Sequence, residues 1–246
     1  MNVWTYWEGP RWPHIDICLR SLEAACKRDD VTLHIVTPET VGDYIPQGVL
    51  NANYMALQQP ALRADCIRAA LLAVHGGWWW DADSIGFGTL TDLHAKYGTP
   101  ECLYLTWRRE PRRVINGYIY FNAGSPLAAA WLEQVNRVLT GDVNKIAWCS
   151  LGEHLLNYIV PEHAGSVEVE RRLFLPVDID SEVARFFRPG NPLDWIERDT
   201  VCFGLNHSWM VYRRKERGEM LQPEHVRLAS PLLIHRLLTL AERFSS

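Results

Sequence analysis

Two aspartates one residue apart, Asp81 and Asp83, close the run GGWWWDADS at residues 76–84. Carboxylates held near apolar walls repel one another and need a compensating charge. A hard divalent cation supplies it, and a cation with open coordination positions also takes the oxygens of a diphosphate. An isolated D-x-D pair arises often by chance, and aspartates cap turns without any ligand, so the pair alone leaves both readings open. Asp65 and Arg68, in RADCIRAALLAVH, form a second pair at the three-residue spacing that shares one helix face. At the surface such an ion pair adds less than about 1 kcal/mol. Its helix, however, feeds through Gly76-Gly77 directly into the acidic strand, so the same face could border the same crevice.

The elements needed to position these residues are legible. NVWTYWE (2–8) is rich in strand formers and stops at Gly9-Pro10. Residues 15–28 carry Ile15, Cys18, Leu19, Leu22, Ala25 and Cys26 at helical spacing, and VTLHIVT (31–37) alternates as a strand up to Pro38. Residues 39–60 read as connecting loops with one short helix. Residues 61–75 form the clearest helix, with Pro60 at its first turn and two glycines at its end. WWWDAD follows as a strand leading into a turn, with Trp78 and Trp80 expected on one face and Trp79 on the other. Strands are expected at 101–107 and 114–124, helices at 126–139 and 150–160, late strands in VEVERRLFLPV and TVCFGLNHSW, and a terminal amphipathic helix at about 231–244. Alternating strands and helices predict one α/β domain with a mostly parallel, Rossmann-type sheet flanked by helices. Ligands on such sheets bind beyond the carboxyl ends of the strands, which is where Asp81 and Asp83 fall.

Bulk properties narrow the function classes. The 246 residues carry 25 basic and 29 acidic side chains, a formal net charge of −4, so nucleic acid is not the expected partner. Six cysteines lie far apart with no C-x-x-C pair, which predicts reduced, buried thiols rather than a zinc site or a disulfide framework. The opening MNVWTYWEGP lacks the pattern of a signal peptide. No apolar run approaches the roughly 20 residues of a membrane span. A cytoplasmic protein is expected. The broad apolar face of the terminal helix predicts docking on the domain; contact with the inner membrane face or a dimer partner fits the same pattern. The oligomeric state stays open.

Read as one string, RADCIRAALLAVHGGWWWDAD resembles the capsular-polysaccharide-synthesis and family 32 glycosyltransferases, the DXD sugar-binding group with the GT-A fold. WTYWEGPRWPHIDICLRSL is similar to that family's first strand, Gly-Pro loop and following helix, and the likeness is specific over residues 3–90. The resemblance implies a metal-dependent, retaining hexosyltransferase of bacterial surface polysaccharide synthesis. Its donor would be a nucleotide sugar, UDP-hexose first and GDP-mannose second, with Mn2+ or Mg2+ as cofactor. Its acceptor would be a hydroxyl of a glycan or a lipid-linked sugar. Carried over residue by residue, Asp81 and Asp83 match the metal and donor motif, with Asp83 the closer ligand. Asp65 and Arg68 match residues that hydrogen-bond the donor sugar, and Trp4, Thr5 and Tyr6 match the first-strand site of nucleobase and ribose. In NHSW (206–209), His207 is the candidate third metal ligand, with Asn206 and Ser208 as rivals and Trp209 near the phosphates. Asn116, with Asn122 as a rival, matches an asparagine near the donor sugar or acceptor. Ala64 departs from the serine that many relatives carry before the aspartate. Two readings of other classes compete: a non-catalytic nucleotide-sugar binder and a metal-dependent phosphohydrolase.

Overall fold

The computed structural model describes residues 1–108, 110, 113–177, 183–205 and 231–245. The chain divides into two compact units. The first comprises Met1–Glu8, Thr32–Trp80 and Tyr97–Glu170; the second comprises Gly9–Val31, Asp81–Lys96 and Arg171–Ser246.

The first unit holds a six-stranded sheet of β1 (Asn2–Tyr6), β2 (Thr32–Val36), β3 (Gly77–Trp80), β5 (Cys102–Thr106), β6 (Val114–Phe121) and β7 (Ser166–Glu168), in the order β2-β1-β3-β6-β5-β7. β1 is parallel to both β2 and β3, and β5 is parallel to β7. Only β6 runs against its neighbours. This is the expected mixed α/β architecture with a mostly parallel sheet. Its helices are α2 (Val41–Tyr44), α3 (Pro60–His75), α5 (Pro126–Val138) and α6 (Glu153–Ile159). Trp4, Trp79, Ile119 and Phe121 pack from the sheet against Cys66, Ile67, Ala70 and Leu71 of α3 and Ala128, Trp131 and Val135 of α5.

The three tryptophans divide as their alternation predicts. Trp79 joins this helix-facing core, while Trp78 pairs with Tyr120 across β6, with ring centroids 5.5 Å apart. All three are buried. The turn from α3 into β3 depends on two glycines at positive φ, +65° at Gly76 and +98° at Gly77. A Cβ on Gly77 would stand 2.4 Å from the Asn2 carbonyl oxygen, so the strand can enter the sheet beside β1 only without a side chain there.

The second unit contains α1 (Pro13–Arg28), the two-stranded sheet of β4 (Ser84–Gly86) and β8 (Cys202–Gly204), α4 (Leu90–Tyr97, its last residue excepted) and α7 (Leu233–Ser245). α7 buries Leu233, Ile234, Leu237, Leu238 and Ala241 in a core with Ile17 and Cys18 of α1, Ile85, Phe186 and Phe203. The amphipathic face expected at the end of the chain is thus packed within its own unit. β4 and α4 were not legible locally. One reason is that α4 is capped partly from afar: Asp29 Oδ2 accepts from the N–H groups of Leu90 at 2.5 Å and Thr91 at 3.0 Å. The strand expected across 167–177 is also shorter, because the chain leaves the sheet after Glu168 and coils into a 3-10 turn at Arg171–Leu173. Among the described residues, no helix is long and apolar enough to cross a membrane.

Candidate active site

In the first unit, α3 turns Asp65 and Arg68 to one side, and their pairing is not a surface one. Arg68 Nη1 donates to Asp65 Oδ1 at 2.8 Å, and the two residues are only 4% and 7% exposed respectively. The Arg68 guanidinium also stacks over the Trp79 ring, 4.5 Å from its centroid, a contact that favours a desolvated cation. Asn116, on the antiparallel strand β6, completes the cluster: its Nδ2 donates to the same Asp65 oxygen at 2.8 Å. The pairing of β5 with β6 shifts register between Leu103 and Leu105, opposite the Ile115–Tyr120 stretch that contains Asn116. Such irregularities re-aim side chains. Three residues from two distant segments therefore meet at one carboxylate oxygen.

A second buried carboxylate lies nearby in the same unit. Glu153, 5% exposed at the start of α6, accepts from Trp107 Nε1 at 3.1 Å and from Arg113 Nε at 2.6 Å. Burial works against the Arg113 cation, yet the adjacent Glu153 outweighs it and raises its pKa. Arg113 Nη2 also reaches Cys149 Sγ, at 4.0 Å. Burial, with Glu153 and Asp65 adding, pushes its thiol up to about 12. The sequence motif GEH reads as an ordinary acid in a first helical turn, and Arg113 as part of a solvated basic run. Glu153 does stand in the first turn of α6, but its partners Arg113 and Trp107 come from 40 and 46 residues away, so its burial leaves no local pattern.

The β1 residues are placed differently from one another. Trp4 faces the helix-packed core, donates its Nε1–H to the Gly76 carbonyl at 2.9 Å and is stacked between His34 and His75, at centroid distances of 4.2 and 5.0 Å. Tyr6 faces the same core beside Glu8, whose carboxylate accepts from Arg63 Nε at 3.0 Å. Burial, then Glu8, raises the Tyr6 pKa. Thr5 is wholly buried, and among the described residues its hydroxyl has no hydrogen-bond partner. Asn122, at the end of β6, accepts from the Tyr120 hydroxyl and donates to the Thr99 carbonyl at 3.4 Å.

Asp81 and Asp83 follow Trp80 directly and belong to the second unit. Both are partly buried in the turn before β4. The backbone around them is fixed by the pairing of Ser84 with Gly204 and by the Leu205 N–H, which donates to the Asp83 carbonyl at 2.9 Å. Burial raises the Cys18 and Cys202 thiols, with Asp83 adding at Cys18 and both aspartates adding at Cys202. The two carboxylates therefore concentrate negative charge against buried thiols, and a hard cation on their oxygens would offset it. Among the described residues no group of three or more His, Cys, Asp or Glu is placed to hold a metal. His207, Asn206, Ser208 and Trp209 lie outside the described residues. Asp81 and Asp83 carry oxygen atoms of the type that divalent cations take, and the third candidate follows Leu205 by two positions in the chain.

No protein-family model matches the chain. No curated protein matches it by sequence. Solved structures do. A galactosyltransferase, LgtC, in complex with donor and acceptor sugar analogs is similar over 100% of this chain and 97% of its own, at 10% identity and a TM-score of 0.56. This is the GT-A glycosyltransferase fold. Two more structures share it. The glycosyltransferase GlyE of Streptococcus pneumoniae TIGR4 matches over 99% of this chain and 59% of its own, at 11% identity and a TM-score of 0.51. A glycosyltransferase involved in glycosylation of the major capsid of PBCV-1 matches over 88% and 98%, at 9% identity and 0.50. At these identities the likeness establishes the GT-A fold alone; function rests on the chain's own residues.

Proposed function

We propose that this protein is a metal-dependent, retaining hexosyltransferase that uses a nucleotide-sugar donor, with UDP-hexose favoured and GDP-mannose second. Its acceptor is a hydroxyl of a glycan or lipid-linked sugar in bacterial surface polysaccharide synthesis. The observation that carries this reading is the buried Asp65–Arg68–Asn116 cluster, in a fold whose similar structures are glycosyltransferases. A buried ion pair is a weak source of stability, since apolar residues of similar volume hold a core as well. A carboxylate oriented by two donors is instead suited to gripping ligand hydroxyls in one fixed pose.

In this reading, Asp65 accepts a hydrogen bond from a hydroxyl of the donor sugar, while Arg68 and Asn116 hold its carboxylate in place. Of the β1 residues, Trp4 has spent its N–H on Gly76 and its ring on His34 and His75, and Thr5 is wholly buried, so both support the nucleotide end of the donor site from behind. Tyr6, Ser208 and Trp209 complete the donor contacts. Asp83, Asp81 and His207 would hold Mn2+ or Mg2+, which when bound supplies positive charge toward the leaving diphosphate. In the retaining reaction the sugar–phosphate bond breaks as the acceptor oxygen bonds the anomeric carbon from the same side. The departing phosphate oxygen takes the acceptor proton, so no separate base is required.

The test is release of free nucleoside diphosphate from a panel of nucleotide sugars in the presence of Mn2+. Turnover should vanish in EDTA and in Asp83→Asn, with the fold of the variant unchanged by circular dichroism. Turnover persisting in either condition would remove the metal from the scheme, and no turnover with any donor would remove the reaction.

A further inference from the structure

We infer that Gly152 is a positioning residue: its bare α-carbon is what allows the Asn116 amide to reach Asp65. A Cβ at position 152 would lie 2.0 Å from Asn116 Nδ2, 3.0 Å from Asn116 Cγ and 2.8 Å from Asp65 Oδ2. A carbon cannot sit at those distances, so any side chain at 152 must expel the amide or turn the carboxylate. The same amide donates to Asp65 Oδ1 at 2.8 Å. The backbone adds a second demand, because φ −99° with ψ −103° lies outside the regions open to residues with a Cβ.

The backbone cannot yield instead. Trp131 Nε1 grips the Leu151 carbonyl at 2.7 Å, the Leu156 N–H takes the Gly152 carbonyl at 3.1 Å, and the His154 N–H takes the Cys149 carbonyl at 3.1 Å. The segment is anchored to α5 on one side and committed to the first turn of α6 on the other. Its neighbour Glu153 is held in turn by Trp107 and Arg113. Gly152 therefore touches neither a reacting atom nor a ligand in this scheme; it sets the rotamers of Asn116 and of Asp65, which grips the donor sugar. The activity part of the test rests on the glycosyltransferase reading, whereas the stability part does not.

Four proteins are compared: wild type, Gly152→Ala, Asn116→Ala and the double variant. Each is assayed for Mn2+-dependent nucleoside diphosphate release from the best donor and for thermal unfolding. Gly152→Ala should cost at least about tenfold in turnover, the factor that 1.4 kcal/mol represents. Removing the Asn116 side chain relieves the nearer part of the clash and leaves the Asp65 contact and the backbone strain, so the double variant should retain about threefold or more activity over the product of the two single losses, with Tm losses likewise less than additive. Additive losses would overturn the assignment, as would a Gly152→Ala protein with wild-type turnover. If Gly152→Ala fails to fold, a folded double variant supports the collision, and an unfolded double variant beside a folded Asn116→Ala refutes it. Should wild type turn over no donor, the reaction assignment falls, while the Tm cycle still decides the role of Gly152.

Discussion

At the scale of single residues, the cost of the Asp65–Arg68 pair is the most telling quantity. Both groups are withdrawn from water, and removal of one leaves the other charged and uncompensated. Arg68→Met should therefore destabilise the protein by about 3–5 kcal/mol, measurable by urea unfolding. Replacing both, as Asp65→Leu with Arg68→Met, should recover most of that stability while donor turnover stays down by about a hundredfold, the penalty for losing a fixed substrate pose. An Arg68→Met protein as stable as wild type would show that Asp65 is not a buried anion. A double variant with full turnover would show that the cluster serves the core rather than a ligand.

At the scale of elements, the passage from α3 into β3 has the least tolerance. It joins the helix carrying Asp65 to the strand that delivers Asp81 and Asp83. Gly77→Ala forces a side chain into a φ of +98° and against the Asn2 carbonyl. Backbone strain of this kind costs about 1–3 kcal/mol, and in a chain of this size each kcal/mol lowers Tm by roughly 2–4 °C. Gly48→Ala provides the comparison, since its φ of +87° is similarly left-handed but nothing lies near its missing Cβ. The larger loss belongs to Gly77; equal Tm values would mean that β3 can shift away from β1.

At the scale of the molecule, acid is the expected weakness. His235 of α7 is 5% exposed, and among the described residues neither of its ring nitrogens has a hydrogen-bond partner. Burial lowers its pKa, and burial followed by the neighbouring His75 lowers that of His34. The unfolded chain takes up these protons below about pH 6.5, whereas the folded chain resists them until the pH is lower still. Stability is therefore lost as pH falls below about 6.5 toward the folded pKa values. Unfolding free energy measured between pH 8 and pH 5 should decline, and His235→Leu should flatten the decline and raise Tm, since an unsatisfied buried polar group costs about 1–3 kcal/mol. A variant with the wild-type pH slope would place the titration elsewhere.

Local pattern alone was enough for the strand–helix alternation, the glycine stop of α3, the division of the three tryptophans between faces and the apolar face of α7. Each depends on backbone periodicity or conformational freedom within a few residues. The sheet order, the reversal of β6 and the far cap of α4 required the folded chain. So did the surroundings of the site. Asp65 and Arg68 are neighbours on a helix and could be paired from their spacing, but their burial, and the arrival of Asn116 from β6, come from packing. Glu153 reads as a routine helix-start acid because Trp107 and Arg113 approach it from the connection between β5 and β6, and Gly152 carries no signal in the sequence because an absent side chain acquires meaning only from what lies against it. Periodicity is a local property of the chain; desolvation and steric exclusion belong to whichever distant segments the tertiary structure brings into contact.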